Sequence, residues 1–375
     1  MDSTTHGDPG PLDWTNIFFL TLTPILGGPV LIWHTVEVGF QGWTLALFAV
    51  MYALVGLSVC AGYHRYFSHK SYECSRSVQM FYAIFGAMAA QNSILRWCAG
   101  HRRHHSYSES DWDPYSIQRG FWWAHIFWIF RKPTACELTN VKDLQANPVV
   151  MFQHRWHRWI MTLGGLGIPL AIGALMGDAI AGLLWGGFLR IVVVHHSTFL
   201  VNSLAHFVGK QTYDGTSSAR DNWAVALLTF GEGYHSFHHK FPSDFRNGVR
   251  WFAWDPAKWF IAGLKGAGLA WNLREMAAPV IEAARIKAEA KLLEARLAAA
   301  PAAHTYLDEL RTRIEEVRLK FEHAFDLWRQ QAQERKLGRS YRETYNRYRA
   351  QLRQAREEWR RTLAWIKSLR MPEVV

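Results

Sequence analysis

Nine of the 18 histidines in this chain are spaced as metal ligands would be. They stand as His64-Arg-Tyr-Phe-Ser-His69, His101-Arg-Arg-His104-His105 and His235-Ser-Phe-His238-His239, with His206 between the second and third runs, four residues after Asn202. Residues three and four apart share one face of a helix, so an H-x-x-H-H run can project up to three imidazoles toward one point. Neutral imidazole suits Fe, Zn, Cu and Ni, and none of the runs contains a cysteine, which argues against a structural zinc site. Nine imidazoles exceed the roughly four to six ligands of one such ion. Two metals sharing them is the natural arithmetic.

Four stretches near these runs are apolar enough to cross a bilayer, which takes about 20 helical residues. They are Trp14–Trp33, Trp43–Gly62, Ile160–Leu175, the shortest, and Ala179–Leu200. The links inside each pair, His34 to Gln41 and Met176 to Asp178, hold no Lys or Arg. The segment between the pairs holds twelve: Arg65, Lys70, Arg76, Arg96, Arg102, Arg103, Arg119, Arg131, Lys132, Lys142, Arg155 and Arg158. The positive-inside rule places this segment, the C-terminal third and the N-terminus in the cytoplasm. The expected fold is therefore all-α and integral to a membrane, with the histidines at its cytoplasmic face. The alternative is a soluble protein with buried core helices.

Two shorter apolar stretches, Val78–Ala90 and Phe121–Phe130, are expected to lie on or just under the interface, where Trp122, Trp123 and Trp128 would sit comfortably. His195 and His196, inside the fourth span, should find hydrogen-bond partners or pack in the bundle. His125, His154 and His157 read as interfacial.

Composition agrees with a membrane protein that has a polar appendage. Hydrophobic residues make up 49% and aromatics 14%, with 19 Trp, while a mean hydropathy of −0.11 averages an apolar front with a polar tail. The formal net charge of +11 suits anionic headgroups or a phosphate-bearing substrate. No nucleic-acid motif accompanies it, so nucleic acid is not an expected partner. Cys60, Cys74, Cys98 and Cys136 form no C-x-x-C pair, consistent with a reduced compartment. Met1 to Leu12 lacks the pattern of a cleaved signal peptide.

The three runs, in this order and topology, resemble those of the membrane fatty acyl desaturases, particularly the stearoyl-CoA desaturase group. The similarity includes Gln91-Asn92 and Trp97 before the second run, Asp113-Pro114 after it, and Arg131-Lys132. It continues through Asn202-Ser-Leu-Ala-His206, Gly231-Glu-Gly-Tyr-His235 and Phe241-Pro, and covers roughly Trp43 to Trp271. The resemblance implies four membrane helices under a cytosolic cap that holds two Fe ions. His64, His69, His101, His104, His105, His206, His235, His238 and His239 match the family's ligands, and Asn202 matches a residue that reaches one iron through water. It further implies O₂-dependent insertion of a cis double bond, commonly Δ9, with Gln91, Asn92, Trp97, Arg131 and Lys132 as substrate contacts. An all-histidine shell also differs from the Glu-x-x-His pattern of soluble di-iron bundles. Ser236, Ala99-Gly100 and His196-Ser-Thr-Phe199 depart from the animal pattern. Ala99-Gly100 replaces an Arg-Asp pair, so acyl-CoA is the lead substrate and a phospholipid-linked acyl chain the alternative.

Residues 1–276 read as the membrane unit and 277–375 as a polar tail. Thr305-x-x-Asp308 and Ser340-x-x-Glu343 look like helix N-caps. Leu307, Leu310, Ile314, Val317, Phe321, Phe325 and Trp328 step by three and four, as do Tyr345, Tyr348, Leu352, Ala355, Trp359, Leu363 and Ile366. Two amphipathic helices follow, packed as a hairpin or against a partner. The tail would dock a redox partner, a second subunit or a membrane surface, or it is a solvated appendage. The chain has no His-Pro-Gly-Gly haem motif, Gly-x-Gly-x-x-Gly turn or cysteine cluster. Electrons would come from a separate ferredoxin, rubredoxin or cytochrome b5-like donor with its reductase. Rival readings are a hydroxylase or acetylenase with the same metals, and a zinc-binding membrane protein without activity.

Overall fold

The computed structural model describes residues 10–132, 138–299, 306–337, 339–340 and 342–368. Cys136, Pro301, Thr305 and Gly338 lie outside them. The described residues form two compact units, one of residues up to 210 with 218–275, the other of 211–217 with 276 onward.

Four helices of the first unit are long and apolar enough to cross a membrane: α1 (Trp14–Val38), α2 (Gly42–Ser68), α6 (Pro148–Leu175) and α7 (Ala179–Phe207). All four outrun the apolar stretches that mark them in the sequence. α6 gains most, reaching back to Pro148, because Asn147 caps the backbone N–H groups of Val149 and Val150 and Pro148 occupies the first turn. This polar extension is tied down, with Gln153 Nε2 donating to the Tyr63 hydroxyl at 2.8 Å and His154 Nδ1 lying 2.7 Å from Ser93 Oγ.

Small residues let the spans approach. A Cβ on Gly182 would stand 2.3 Å from the Pro169 carbonyl oxygen, and one on Gly173 would stand 2.8 Å from Gly182 Cα, so only glycine fits where α6 and α7 meet. Inside the bundle the buried Arg190 guanidinium donates to the carbonyls of Met88, Gly165 and Gly186. At the far end His34 Nε2 pairs with Asp178 Oδ2 at 3.2 Å, and Gln41 Nε2 donates to the same oxygen.

Between α2 and α6 lie α3 (Arg76–Ala87), α4 (Ile94–Tyr107) and α5 (Phe121–His125). α3 packs along α2, with Tyr82 lying on Gly62 and Gly86 making room for Tyr63. The Phe121–Phe130 stretch breaks at Ile126 into α5 and a 3₁₀ turn. Trp122 is exposed, as an interfacial ring would be, but Trp128 packs against Tyr115. His125 is buried, 2.9 Å from Ser203 Oγ and 3.1 Å from His196, so this polar group at the head of α7 has its partners within the protein.

After α7 come three short helices, α8 (Trp223–Leu228), α9 (His235–Lys240) and α10 (Pro256–Gly266). β2 (Ala270–Trp271) then pairs antiparallel with β1 (Glu73–Cys74) at the exit of α2, in the register Cys74 to Ala270. The cap core is built from Tyr63, Phe67, Tyr72, Tyr82, Ile94, Leu95, Val150 and Ile261.

The second unit is a three-helix bundle of α11 (Ala278–Ala299), α12 (Leu307–Lys336) and α13 (Arg342–Ser368). The two periodic stripes meet as the expected hairpin, burying Val317, Phe321, Tyr348, Leu352 and Trp359. α11 adds a third strip through Ile286 and Ala290, and Glu289 Oε2 accepts from the Trp359 indole at 2.8 Å. The stripe here is weaker in the sequence because Ala283 and Ala290 alternate with Ile286 and Leu293 along it. The separate segment 211–217 packs on α11, where a Cβ on Gly215 would stand 3.1 Å from the Ala288 carbonyl oxygen. Tyr306 holds the N-cap position of α12, and the expected Thr305 cap lies outside the described residues.

One glycine joins span and cap: a Cβ on Gly56 would lie 2.0 Å from Cε2 of Phe230, whose own φ is +53°. We expect Gly56→Leu to cost about 1–3 kcal/mol or more by overpacking, read as a lowered melting temperature in detergent. Gly263→Ala, where a Cβ meets nothing within 4 Å, should leave the melting temperature unchanged or raise it slightly.

Candidate metal centre

The last eleven residues of α2, Ser58–Ser68, are wound as a π-helix. On an α-helix residues five apart point about 140° apart, which would separate His64 from His69. The wider winding, continued by the His69 N–H donating to the His64 carbonyl at 3.1 Å, brings the two rings to a centroid distance of 4.8 Å. π-turns are rare and recur at functional sites. α4, started by Ser93 at its N-cap, presents His101, His104 and His105 from its last two turns. His206 ends α7. α9 is a short helix whose first N–H groups, of Ser236 and Phe237, donate to Asp221 Oδ1 at 3.0 and 3.3 Å. That carboxylate fixes the start of the helix carrying His235, His238 and His239.

The nine imidazoles converge in two groups, within each of which the ligating nitrogens lie no more than 4.8 Å apart. One holds His64, His69, His101, His105 and His238; the other His104, His206, His235 and His239. In the first, Nε2–Nε2 separations are 3.0 Å for His64–His238, 2.9 Å for His69–His101 and 2.9 Å for His105–His238. In the second they are 3.0 Å for His206–His235, 3.0 Å for His235–His239 and 3.3 Å for His104–His239. Nitrogens bound at about 2.1 Å to one ion stand about 3.0–3.4 Å apart at right-angled to tetrahedral spacing, so the donor sets fit two first-row metal ions. Burial, reinforced by the neighbouring imidazoles, holds His69, His101, His105, His235, His238 and His239 well below the ordinary histidine range. They are neutral at physiological pH, which is the ligand form.

Asn202 is half-buried on α7, four residues before His206. Trp97 lies against the first group, stacked on His101 at 5.0 Å and edge-on to His64 at 6.2 Å. Three of the other expected substrate contacts hydrogen-bond within the protein. Gln91 Nε2 donates to Thr198 Oγ1 at 2.9 Å, while its Oε1 is buried and finds no hydrogen-bond donor among the described residues. Asn92 is exposed at a φ of +77°. Arg131 and Lys132 pair with the start of the described chain, through the Arg131 guanidinium to the Gly10 carbonyl and the Lys132 N–H to Pro11.

Behind the imidazoles stands a layer only partly visible in the sequence. His64 Nδ1 lies 2.7 Å from Glu232 Oε2 and His104 Nδ1 lies 2.9 Å from Asp113 Oδ1. His206 Nδ1 meets Ser218 Oγ at 2.8 Å, and His101 Nδ1 meets the Tyr115 hydroxyl at 3.3 Å. Arg65, counted in the sequence as a loop charge, is fully buried. Its guanidinium donates to Glu232 Oε1 from Nε and Nη2, to both oxygens of Asp255, and to the Phe245 carbonyl. Burial alone would raise the Glu232 carboxyl, but His64 and Arg65 outweigh it and hold it below the usual range. Asp113 and Glu232 are visible in the sequence as neighbours of histidine runs. Arg65, Ser218, Tyr115, Asp221 and Asp255 carry no spacing signal.

Residues 41–273 match the fatty acid desaturase family model. The chain is 40% identical over 285 residues to a "Probable acyl-CoA desaturase" of Schizosaccharomyces pombe, covering 75% of this chain and 60% of that one. It is 37% identical over 290 residues to acyl-CoA desaturase 1 of Saccharomyces cerevisiae, covering 76% and 56%. It is 34% identical over 273 residues to sn-2 palmitoyl-lipid 9-desaturase of Nostoc, covering 71% and 91%. The chain thus spans about three fifths of the length of the two yeast relatives.

Replacing Arg65 with Met would leave the buried Glu232 and Asp255 without their shared cation. Breaking a buried ion pair costs about 3–5 kcal/mol. We expect Arg65→Met to lose most of its monodisperse peak on size exclusion, whereas Arg131→Met should elute like the parent.

Proposed function

Because this chain belongs to the fatty acid desaturase family, we propose that it introduces a cis double bond into a saturated fatty acyl chain, using O₂ and two iron ions. The observation that carries this reading is the pair of imidazole groups, five and four, at one end of four membrane-long helices. His64, His69, His101, His105 and His238 would hold one iron. His104, His206, His235 and His239 would hold the other, with Asn202 beside it. Once bound and reduced, iron supplies from O₂ an oxidant strong enough to take hydrogen from an unactivated methylene.

The balance is simple. The acyl chain loses two hydrogens, one from each of two adjacent carbons, and a second bond forms between them. O₂ takes up those two hydrogens, two electrons and two protons and leaves as two waters. The chain's own residues bind, orient and shield. Neutral imidazoles present their Nε2 lone pairs inward, Trp97 walls the first group, and burial keeps bulk water from the metals. The two electrons come from an external donor, a ferredoxin, rubredoxin or cytochrome b5-like protein with its reductase, since the chain has no haem or iron–sulfur motif.

Acyl-CoA is the lead substrate, in line with the yeast relatives, and a phospholipid-linked acyl chain is the alternative, in line with the Nostoc one. That relative's name also favours Δ9. The asymmetry of Lys and Arg between the links puts the metal groups, and the ends of the chain beside them, on the cytoplasmic side. The desaturase unit is residues 1–276, and the helical tail of 277–375 is outside the chemistry.

The test is expression in a host lacking this activity, supplied with a ferredoxin and its reductase, followed by gas chromatography–mass spectrometry of its fatty acids. A new mono-unsaturated species, absent from the His104→Ala/His238→Ala control, is expected, and dimethyl disulfide adducts would locate the bond. A product heavier by one oxygen would make the protein a hydroxylase. Unchanged lipids together with zinc in the purified protein would overturn both readings.

A further inference from the structure

We propose that Glu232 and Asp113 are matched positioning residues, one behind each metal group, that orient a ligand imidazole and supply the negative charge an all-imidazole shell lacks. The inference rests on the two-metal reading above. Two divalent ions held only by neutral imidazoles would place about four positive charges in a buried space, where charge is expensive unless countered. Soluble di-iron bundles meet this need with ligating carboxylates. Here the carboxylates stand one bond network back. Each group has one: Glu232 on His64 of the five-imidazole group and Asp113 on His104 of the four-imidazole group. His101 and His206 face hydroxyls instead.

Both carboxylates are buried, their side chains 7% and 1% exposed, and both are held in place by other donors. Glu232 accepts from Arg65 and from Asn247 Nδ2, the latter at 2.7 Å. Asp113 accepts from the backbone N–H of Tyr115 and of Glu109 at 3.2 and 3.1 Å. A carboxylate so fixed, 2.7 Å from Nδ1 of His64 and 2.9 Å from Nδ1 of His104, favours the tautomer with its proton on Nδ1, which leaves the Nε2 lone pair to the group.

The two devices also interlock. Glu232 orients His64 of one group and lies three residues before His235 of the other. Asp113 orients His104, and Tyr115, two residues on, meets His101 of the opposite group. The charge balance differs between them, because Glu232 shares Arg65 with Asp255. Arg65, Glu232 and Asp255 together carry one net negative charge.

The measurement is a Co²⁺ titration of the full-length, chelator-stripped protein in detergent, read by absorbance and by bound metal per chain. The parent should take up two ions. Asp113→Asn keeps the shape and removes the charge, and should weaken one of the two ions by about 10–100-fold while leaving the other tight. Asp113→Glu, which restores the charge, should recover part of that loss. Glu232→Gln should weaken one ion likewise, with a Co²⁺ spectrum for the retained ion unlike that retained by Asp113→Asn. A purely structural role would lower the melting temperature of the stripped protein but leave both affinities as in the parent. Two tight ions in both variants would therefore overturn the proposal. A parent that binds two ions but makes no unsaturated product would overturn the desaturase reading and leave this one standing. A parent that binds none would overturn both.

Discussion

Nine imidazoles must meet in a buried space, and most other features of the membrane unit follow from that constraint. A protonated imidazole cannot bind metal, so the groups must be dry enough to stay neutral at physiological pH. They must also come from four separate segments, since no one helix can aim more than about three side chains at a point. The long spans α2 and α7 carry His64, His69 and His206 to the cap. α4 and the short α9 close on them, each started by a defined polar cap, Ser93 for one and Asp221 for the other. The cap's aromatic core of Tyr63, Phe67, Tyr72 and Tyr82 is the packing that holds these starts in register.

Much of this was legible before any coordinates. Apolar length marked all four spans, and i, i+3, i+4 spacing marked the two H-x-x-H-H runs. What failed has one cause: local pattern does not report tertiary partners. His64 and His69 are out of phase on an α-helix and come together only because the end of α2 is wound wider. Arg65 counts like any loop cation until Glu232 and Asp255, 167 and 190 residues away, fold around it. Glycines at 62 and 86 let α3 and α2 approach closely, which the apolar composition of α3 alone does not report.

The C-terminal helices pose a different problem of legibility. Their two heptad-like stripes were strong enough to predict a hairpin, because Leu, Phe, Tyr and Trp recur at helical spacing. α11 carries a weaker stripe, its buried positions mixing Ile281 and Ile286 with Ala288 and Ala290, which offer little hydrophobic contrast. Ion pairs along exposed faces, such as Arg313 with Glu309 and Arg318 with Glu315 and Glu322, add solubility more than stability. The family match ends at residue 273, so this bundle is a feature the shared chemistry does not require.

The segment 211–217 gives that bundle an unexpected place in the life of the chain. It leaves the ribosome soon after His206 and well before α11, yet α11 is what it packs against. Ser218, the residue that follows it, holds the Nδ1 of His206. During synthesis, then, these seven residues wait for a helix some seventy positions downstream before their own packing is complete. No single cut in the backbone separates the two units.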